Sequence, residues 1–172
     1  MRNLVLCGFM GCGKTTVGRL LAVRTGRRFV DTDALIEEEA GMAVEDIFKR
    51  FGEDDFRLRE RQVCARIAEK EGLVIATGGG ALTFPENAAA LRRSGVIILL
   101  DVTPETVLDR LKGDRSRPLL QREDKDAAVR ELMARRLPQY YAAASLFIDG
   151  NGTPEAVADE ILLALGDEET AP

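Results

Sequence analysis

The residues best suited to chemistry come early in the chain. Gly8-Phe9-Met10-Gly11-Cys12-Gly13-Lys14-Thr15 has the spacing G-x-x-x-x-G-K-[ST], a loop that wraps backbone N–H groups around a polyphosphate. Side chains are minimised at Gly8, Gly11 and Gly13, where backbone must approach the anion. The helix that follows aims the positive end of its dipole at the same place. Lys14 is placed to reach the β- and γ-phosphates, and the Thr15 hydroxyl to ligate Mg²⁺. Gly11, Cys12, Gly13, Lys14, Thr15 and Thr16 are therefore the expected nucleotide-binding residues, and the bound group is a nucleoside triphosphate.

Further along, Asp31-Thr32-Asp33 offers two carboxylates that can face different partners. Asp31 suits the water shell of a metal, and Asp33 suits a substrate hydroxyl. Asp33 also suits a helix N-cap, because Ala34-Leu35-Ile36 follows it with Glu37 beyond, and by itself the segment leaves both readings open. Thr77-Gly78-Gly79-Gly80 allows close backbone contact with a ligand or makes a flexible turn, the turn being the plainer reading in isolation. With 19 arginines against 5 lysines, a single arginine says little. Three stand out by context: Arg57 after Phe56 with Glu60 one turn on, Arg117 in Ser116-Arg117-Pro118, and Arg136 just ahead of Pro138. Val96-Ile97-Ile98-Leu99-Leu100-Asp101 imitates a strand ending in a metal carboxylate, so Asp101 competes with Asp31 for the metal.

These groups need a scaffold, and the hydrophobic pattern supplies one. Short apolar runs at 4–7, 28–31, 73–76, 96–100 and 146–149 read as strands. Between them, helical spacing covers 14–25, then three pieces at 34–39, 44–51 and 54–71 broken at Gly41 and Gly52, then 86–93, 104–112, 124–144 and 154–165. Thr103-Pro104 and Thr153-Pro154 are cap-plus-proline helix starts, and Pro138 predicts a kink or break late in the long helix. Continuous apolar strands alternating with helices predict an α/β fold with a parallel sheet buried on both faces. Asp31, Gly78 and Asp101 then fall at the ends of strands, the edge where such sheets bind ligands. The polar stretch 113–123 predicts a lid over the site. Residues 1–166 read as one domain, with 33–61 as a substrate-binding region and 167–172 as an acidic tail.

Composition narrows the partners. At 172 residues a single domain buries about 70% of its unfolded surface. A net charge of −5 argues against general nucleic-acid binding. No apolar run nears the ~20 residues of a membrane span, and Met1-Arg2-Asn3 leads directly into the first strand, with no room for a signal peptide. Histidine is absent, which excludes imidazole catalysis. Cys7, Cys12 and Cys64 have no metal spacing and leave one unpaired in any disulfide scheme; Cys12 reads as a small residue fitting the loop. The expectation is a cytoplasmic monomer without nucleic-acid or membrane partners.

Taken together, these motifs resemble shikimate kinase, in order and at fitting spacing over residues 3–165. The resemblance implies a three-layer P-loop kinase fold with strand order 2-3-1-4-5, ATP and shikimate as substrates, Mg²⁺ as cofactor, and phosphoryl transfer to the 3-hydroxyl of shikimate in aromatic amino-acid biosynthesis. It implies that Arg57 and Arg136 clamp the shikimate carboxylate, that Asp33 takes the ring hydroxyls, and that Gly78, Gly79 and Gly80 line the same site. Phe48 and Phe56 become apolar walls, and Glu60 orients Arg57. Thr15 with Asp31 becomes the metal pair, which leaves Asp101 structural. Lys14, Asp33 and Arg117 become the catalytic set, Arg117 closing on the transferring phosphates. Arg110 and Pro154 flank the adenine. Two positions depart from the family pattern: Gly152 stands where some members carry an arginine near the adenine, and Tyr141 where an acidic residue is frequent. A gluconate or nucleotide kinase on the same fold is the rival, and no base-recognition residues favour a nucleotide acceptor.

Overall fold

A computed structural model describes residues 1–112 and 123–170. Five strands, β1 (Asn3–Cys7), β2 (Arg28–Asp31), β3 (Leu73–Ala76), β4 (Gly95–Asp101) and β5 (Leu146–Asp149), form one sheet in the order β2-β3-β1-β4-β5. Every pairing is parallel. The central position of β1 follows from its composition, since all five of its residues are buried, as are all four of β3. Edge strands β2 and β5 are only partly covered. Asn3, the one polar residue of β1, is fully buried and satisfied. Its Nδ2 donates to Lys70 O at 2.7 Å, and its Oδ1 accepts from Leu73 N at 2.9 Å, which fastens β1 to the start of β3.

The helices are α1 (Lys14–Thr25), α2 (Thr32–Ala40), α3 (Val44–Ile67), α4 (Pro85–Ser94), α5 (Pro104–Arg110), α6 (Lys125–Ala143) and α7 (Pro154–Thr170), with a 3₁₀ turn at Ala81–Thr83. The predicted break at Gly52 is present: its φ of 82° and ψ of 175° interrupt α3. Three boundaries differ from expectation. The helix after Gly52 ends at Ile67 and not near residue 71. α6 runs as one helix through Pro138, and its last carbonyls, Ala142 and Ala143, accept from Arg92 of α4 at 2.8 Å each, an outside cap that holds the turn beyond the proline. α7 continues past residue 165 to Thr170; a glycine such as Gly166 costs a helix about 1 kcal/mol, too little to end it.

With all strands parallel, their C-terminal ends share one edge. The phosphate loop leaves β1 there, Asp31 ends β2, Gly78 follows β3 and Asp101 ends β4. Residues 113–122, including the lid segment and Arg117, lie outside the described residues.

Candidate active site

Gly13 is the N-cap of α1 with φ 103° and ψ 10°, a left-handed conformation that a residue with a Cβ adopts only under strain. The turn it makes brings Lys14 back over the loop. Its Nζ donates to the carbonyls of Gly8 at 2.8 Å and Phe9 at 2.9 Å, and lies 3.5 Å from Cys12 Sγ. A cation is thus fixed at the mouth of α1, while Thr16 stands exposed on the first turn of that helix. Cys12 is buried in the loop, the packing role expected of it.

Thr15 Oγ1 donates to Asp31 Oδ2 at 3.0 Å, while Asp31 Oδ1 accepts from Asp33 N at 3.0 Å and Ala34 N at 3.3 Å. Asp31 is therefore the N-cap of α2. This corrects the cap reading for Asp33, which sits inside the first turn. Asp101 is engaged elsewhere, because its Oδ2 accepts from Tyr141, whose ring stacks on Phe147 at 5.3 Å. Thr15 and the Asp31 carboxylate are hard oxygen donors side by side, the kind of set that takes one or two positions on Mg²⁺ and leaves the rest to water and phosphate.

Across the edge, α3 presents Phe48, Phe56, Arg57 and Glu60. The Phe48 and Phe56 rings are 4.7 Å apart. The Arg57 guanidinium donates to Glu60 Oε2 at 2.9 Å and to Glu53 Oε1 at 3.2 Å, and it lies 5.2 Å from the ring centroids of both Phe56 and Phe84. Five N–H donors in a rigid plane are thereby held by two carboxylates and two aromatic faces. Glu60 is 1% exposed. Burial pushes its carboxyl up from the ordinary range and the Asp33 charge adds to this, while Arg57 and, more weakly, Arg136 pull it back.

None of the three glycines after β3 has a positive φ, and two of them, Gly78 and Gly80, have a spatial reason instead. A Cβ on Gly78 would stand 2.4 Å from Asp33 Oδ1 and 3.2 Å from Glu60 Oε1. One on Gly80 would stand 2.8 Å from both Nη1 and Nη2 of Arg57. Gly79 lies against Arg136, whose Nη1 donates to the Gly79 carbonyl at 3.4 Å. The segment makes the turn expected at residues 79–80, and the side chains absent at Gly78 and Gly80 also leave room for Asp33, Glu60 and Arg57.

At the other end of the loop, Arg110 donates through Nη1 to Cys12 O at 3.1 Å and Gly11 O at 3.5 Å. Through Nη2 it donates to Gly150 O at 2.8 Å and Gly152 O at 3.0 Å. It joins the phosphate loop to the turn that leads into Pro154. Asn151 secures that turn from α5, its Oδ1 accepting from Thr103 N at 3.0 Å and Thr106 Oγ1 at 2.7 Å.

Sequence reasoning missed Glu53, Phe84 and Tyr140. Glu53 was readable as an i, i+4 partner of Arg57, and Tyr140 as one turn beyond Arg136 on the same face; nothing local marks Phe84.

Comparison with known proteins agrees with this geometry. The family model described as shikimate kinase matches residues 10–166. A shikimate kinase of Symbiobacterium thermophilum is 51% identical over 161 residues, 91% of this chain and 92% of that one. A shikimate kinase of Synechococcus sp. is 48% identical over 165 residues, 95% of this chain and 82% of its own. The structure of shikimate kinase from Acinetobacter baumannii in complex with shikimate superposes with a TM-score of 0.94 at 38% identity, covering 99% of this chain and 96% of that one. A phosphate loop facing a carboxylate-and-arginine pocket, on a sheet ordered 2-3-1-4-5, places this chain in the shikimate kinase family of ATP-dependent kinases.

Proposed function

We propose that the chain moves the γ-phosphoryl group of ATP to the 3-hydroxyl of shikimate, with Asp33, Arg57 and Arg136 as the acceptor site. The observation that carries this reading is the crowding of Asp33 against Gly78 and of Arg57 against Gly80, with Arg136 bonded to the Gly79 carbonyl between them. Two guanidiniums on one side and a carboxylate on the other suit a ligand that is itself a carboxylate with hydroxyl groups. The acceptor oxygen forms a bond to the γ-phosphorus as the bridging P–O bond breaks and ADP leaves. The hydroxyl proton passes toward Asp33, the nearest carboxylate we assign to that group. Lys14 and the loop amides hold the β- and γ-phosphates, so positioning and charge neutralisation supply most of the catalysis. Thr15 and Asp31 would hold Mg²⁺, which screens the phosphate charge when bound. Arg117, outside the described residues, is assigned the transferring phosphates on the resemblance, with 113–123 as its lid. Arg110 and Pro154 are assigned the adenine end.

No helix among the described residues is long and apolar enough to cross a membrane. Burial pushes the Cys7 and Cys64 thiols up to about 12, so neither is ionised at neutral pH, and three unpaired cysteines suit a reducing cytoplasm. We assign a monomer, which light scattering on the purified protein tests directly.

The deciding assay is coupled ADP release with shikimate, gluconate and AMP as alternative acceptors at fixed Mg·ATP. Shikimate should stimulate turnover far above the other two. Equal or faster release with gluconate would transfer the arginine clamp to a different hydroxy-acid.

A further inference from the structure

One carbonyl in the acceptor pocket is held twice from the same helix. Gly79 O accepts from Arg136 Nη1 and from the hydroxyl of Tyr140, which lies one turn further along α6. Tyr140 is 2% exposed, and burial pushes its phenol well above the ordinary range, so it remains an O–H donor at any working pH. Its ring also borders an apolar cavity of about 220 Å³ that includes Phe9, Leu99, Met133 and Leu137 among its walls.

The 79–80 peptide is trans, so its C=O and N–H point in opposite directions across a rigid plane. With the Gly79 carbonyl drawn toward α6, the Gly80 N–H is turned away from α6. Gly80 itself packs against the Arg57 guanidinium. We infer that Tyr140 is a positioning residue for the acceptor: by holding the Gly79 carbonyl it fixes the 79–80 peptide, and with it the backbone against which the Arg57 guanidinium packs. Arg136 alone, at 3.4 Å, is a poor substitute, because its guanidinium is also required for the ligand. Without the phenol the peptide is held by Arg136 alone, and the acceptor meets a pocket wall that must be ordered on binding.

The inference rests on the acceptor site proposed above, and Tyr140→Phe tests it, since it removes one oxygen and keeps the ring. The KM for shikimate should rise about three- to tenfold, the loss of one neutral hydrogen bond's worth of order. The kcat at saturation and the KM for ATP should stay within about twofold. In amide spectra of the free protein the Gly80 N–H should shift and exchange faster with solvent. Leu137→Ala is the packing control: it enlarges the same cavity without touching Gly79, and should lower the Tm with an unchanged shikimate KM. An unchanged KM in Tyr140→Phe, or the same KM rise in Leu137→Ala, overturns the inference. Should Tyr140→Phe not fold, wild-type protein still decides: adding shikimate must move the Gly80 amide resonance, and a resonance that stays put overturns it. Wild type that fails to phosphorylate shikimate overturns the functional reading instead, while the Gly80 amide of free Tyr140→Phe still reports whether the phenol holds the peptide.

Discussion

Glu60 is the costliest single residue in the pocket. Its carboxylate is buried, one oxygen pairs with Arg57, and Oε1 has no hydrogen-bond partner among the described residues. The folded-state value is displaced upward from 4.5, chiefly by burial. A group raised in this way contributes stability that is fully present below about 4.5 and is lost as pH rises through the folded value. The stability of wild type relative to Glu60→Gln should therefore fall with rising pH across that window, by about 1.4 kcal/mol per pH unit at steepest, and then level off. Urea denaturation of both proteins between pH 4 and 8 checks this, and a difference that grows with pH would mean that Arg57 outweighs burial. The two aspartates separate in the same way. Asparagine is as good an N-cap as aspartate, so Asp31→Asn should fold normally yet need more Mg²⁺ for half-maximal rate. Asp33→Asn should lose most turnover with ATP affinity intact. A metal response in Asp101→Asn, and none in Asp31→Asn, would reverse the assignment. The phosphate loop was legible because its logic is contained in eight consecutive residues. The division between Asp31 and Asp33 was offered by the residues and by the resemblance, but which of them caps α2 was not legible, because it depends on how the chain turns out of β2.

At the scale of elements, the segment after β3 is where local reading gave the turn and nothing of its surroundings. Thr77-Gly78-Gly79-Gly80 resembles any flexible turn, and the side chains that give its glycines meaning arrive from α2, α3 and α6. The alternation of strands and helices was legible in the sequence, since buried parallel strands have no polar face. The sheet order came only from resemblance, because strand adjacency is a non-local property. The end of α6 was legible to within a residue, but its continuity through Pro138 was not, since the cap from Arg92 is invisible to a reading of residues 124–144. Gly80→Ala tests the spatial account. Its methyl would press on both Arg57 nitrogens at 2.8 Å, so shikimate binding should weaken by about 1–3 kcal/mol, with ATP binding unchanged by calorimetry. Normal shikimate affinity would return these glycines to an ordinary turn.

Across the whole molecule, the residues we assign to the nucleotide come from the loop after β1, α1, α5 and the start of α7, and those we assign to the acceptor from α2, α3, α6 and the glycines after β3. Arg110 is the longest reach at the nucleotide end, linking α5, the phosphate loop and the 150–152 turn. Arg110→Ala should raise the KM for ATP about tenfold by loosening both loops at once, while the shikimate KM changes little. If instead both constants rise together, the two halves of the site are coupled through the loop.

The middle place of β1 has a consequence for how the chain is made. This strand precedes both of its partners, β3 and β4, in the sequence, and β4 does not end until Asp101. The loop after β1 is thus synthesised before either strand that flanks β1, and lacks its neighbours until residue 101 has emerged. Parallel pairings between distant segments are slow and leave apolar strands unprotected meanwhile. A nascent chain stopped short of Asp101 should therefore bind no nucleotide.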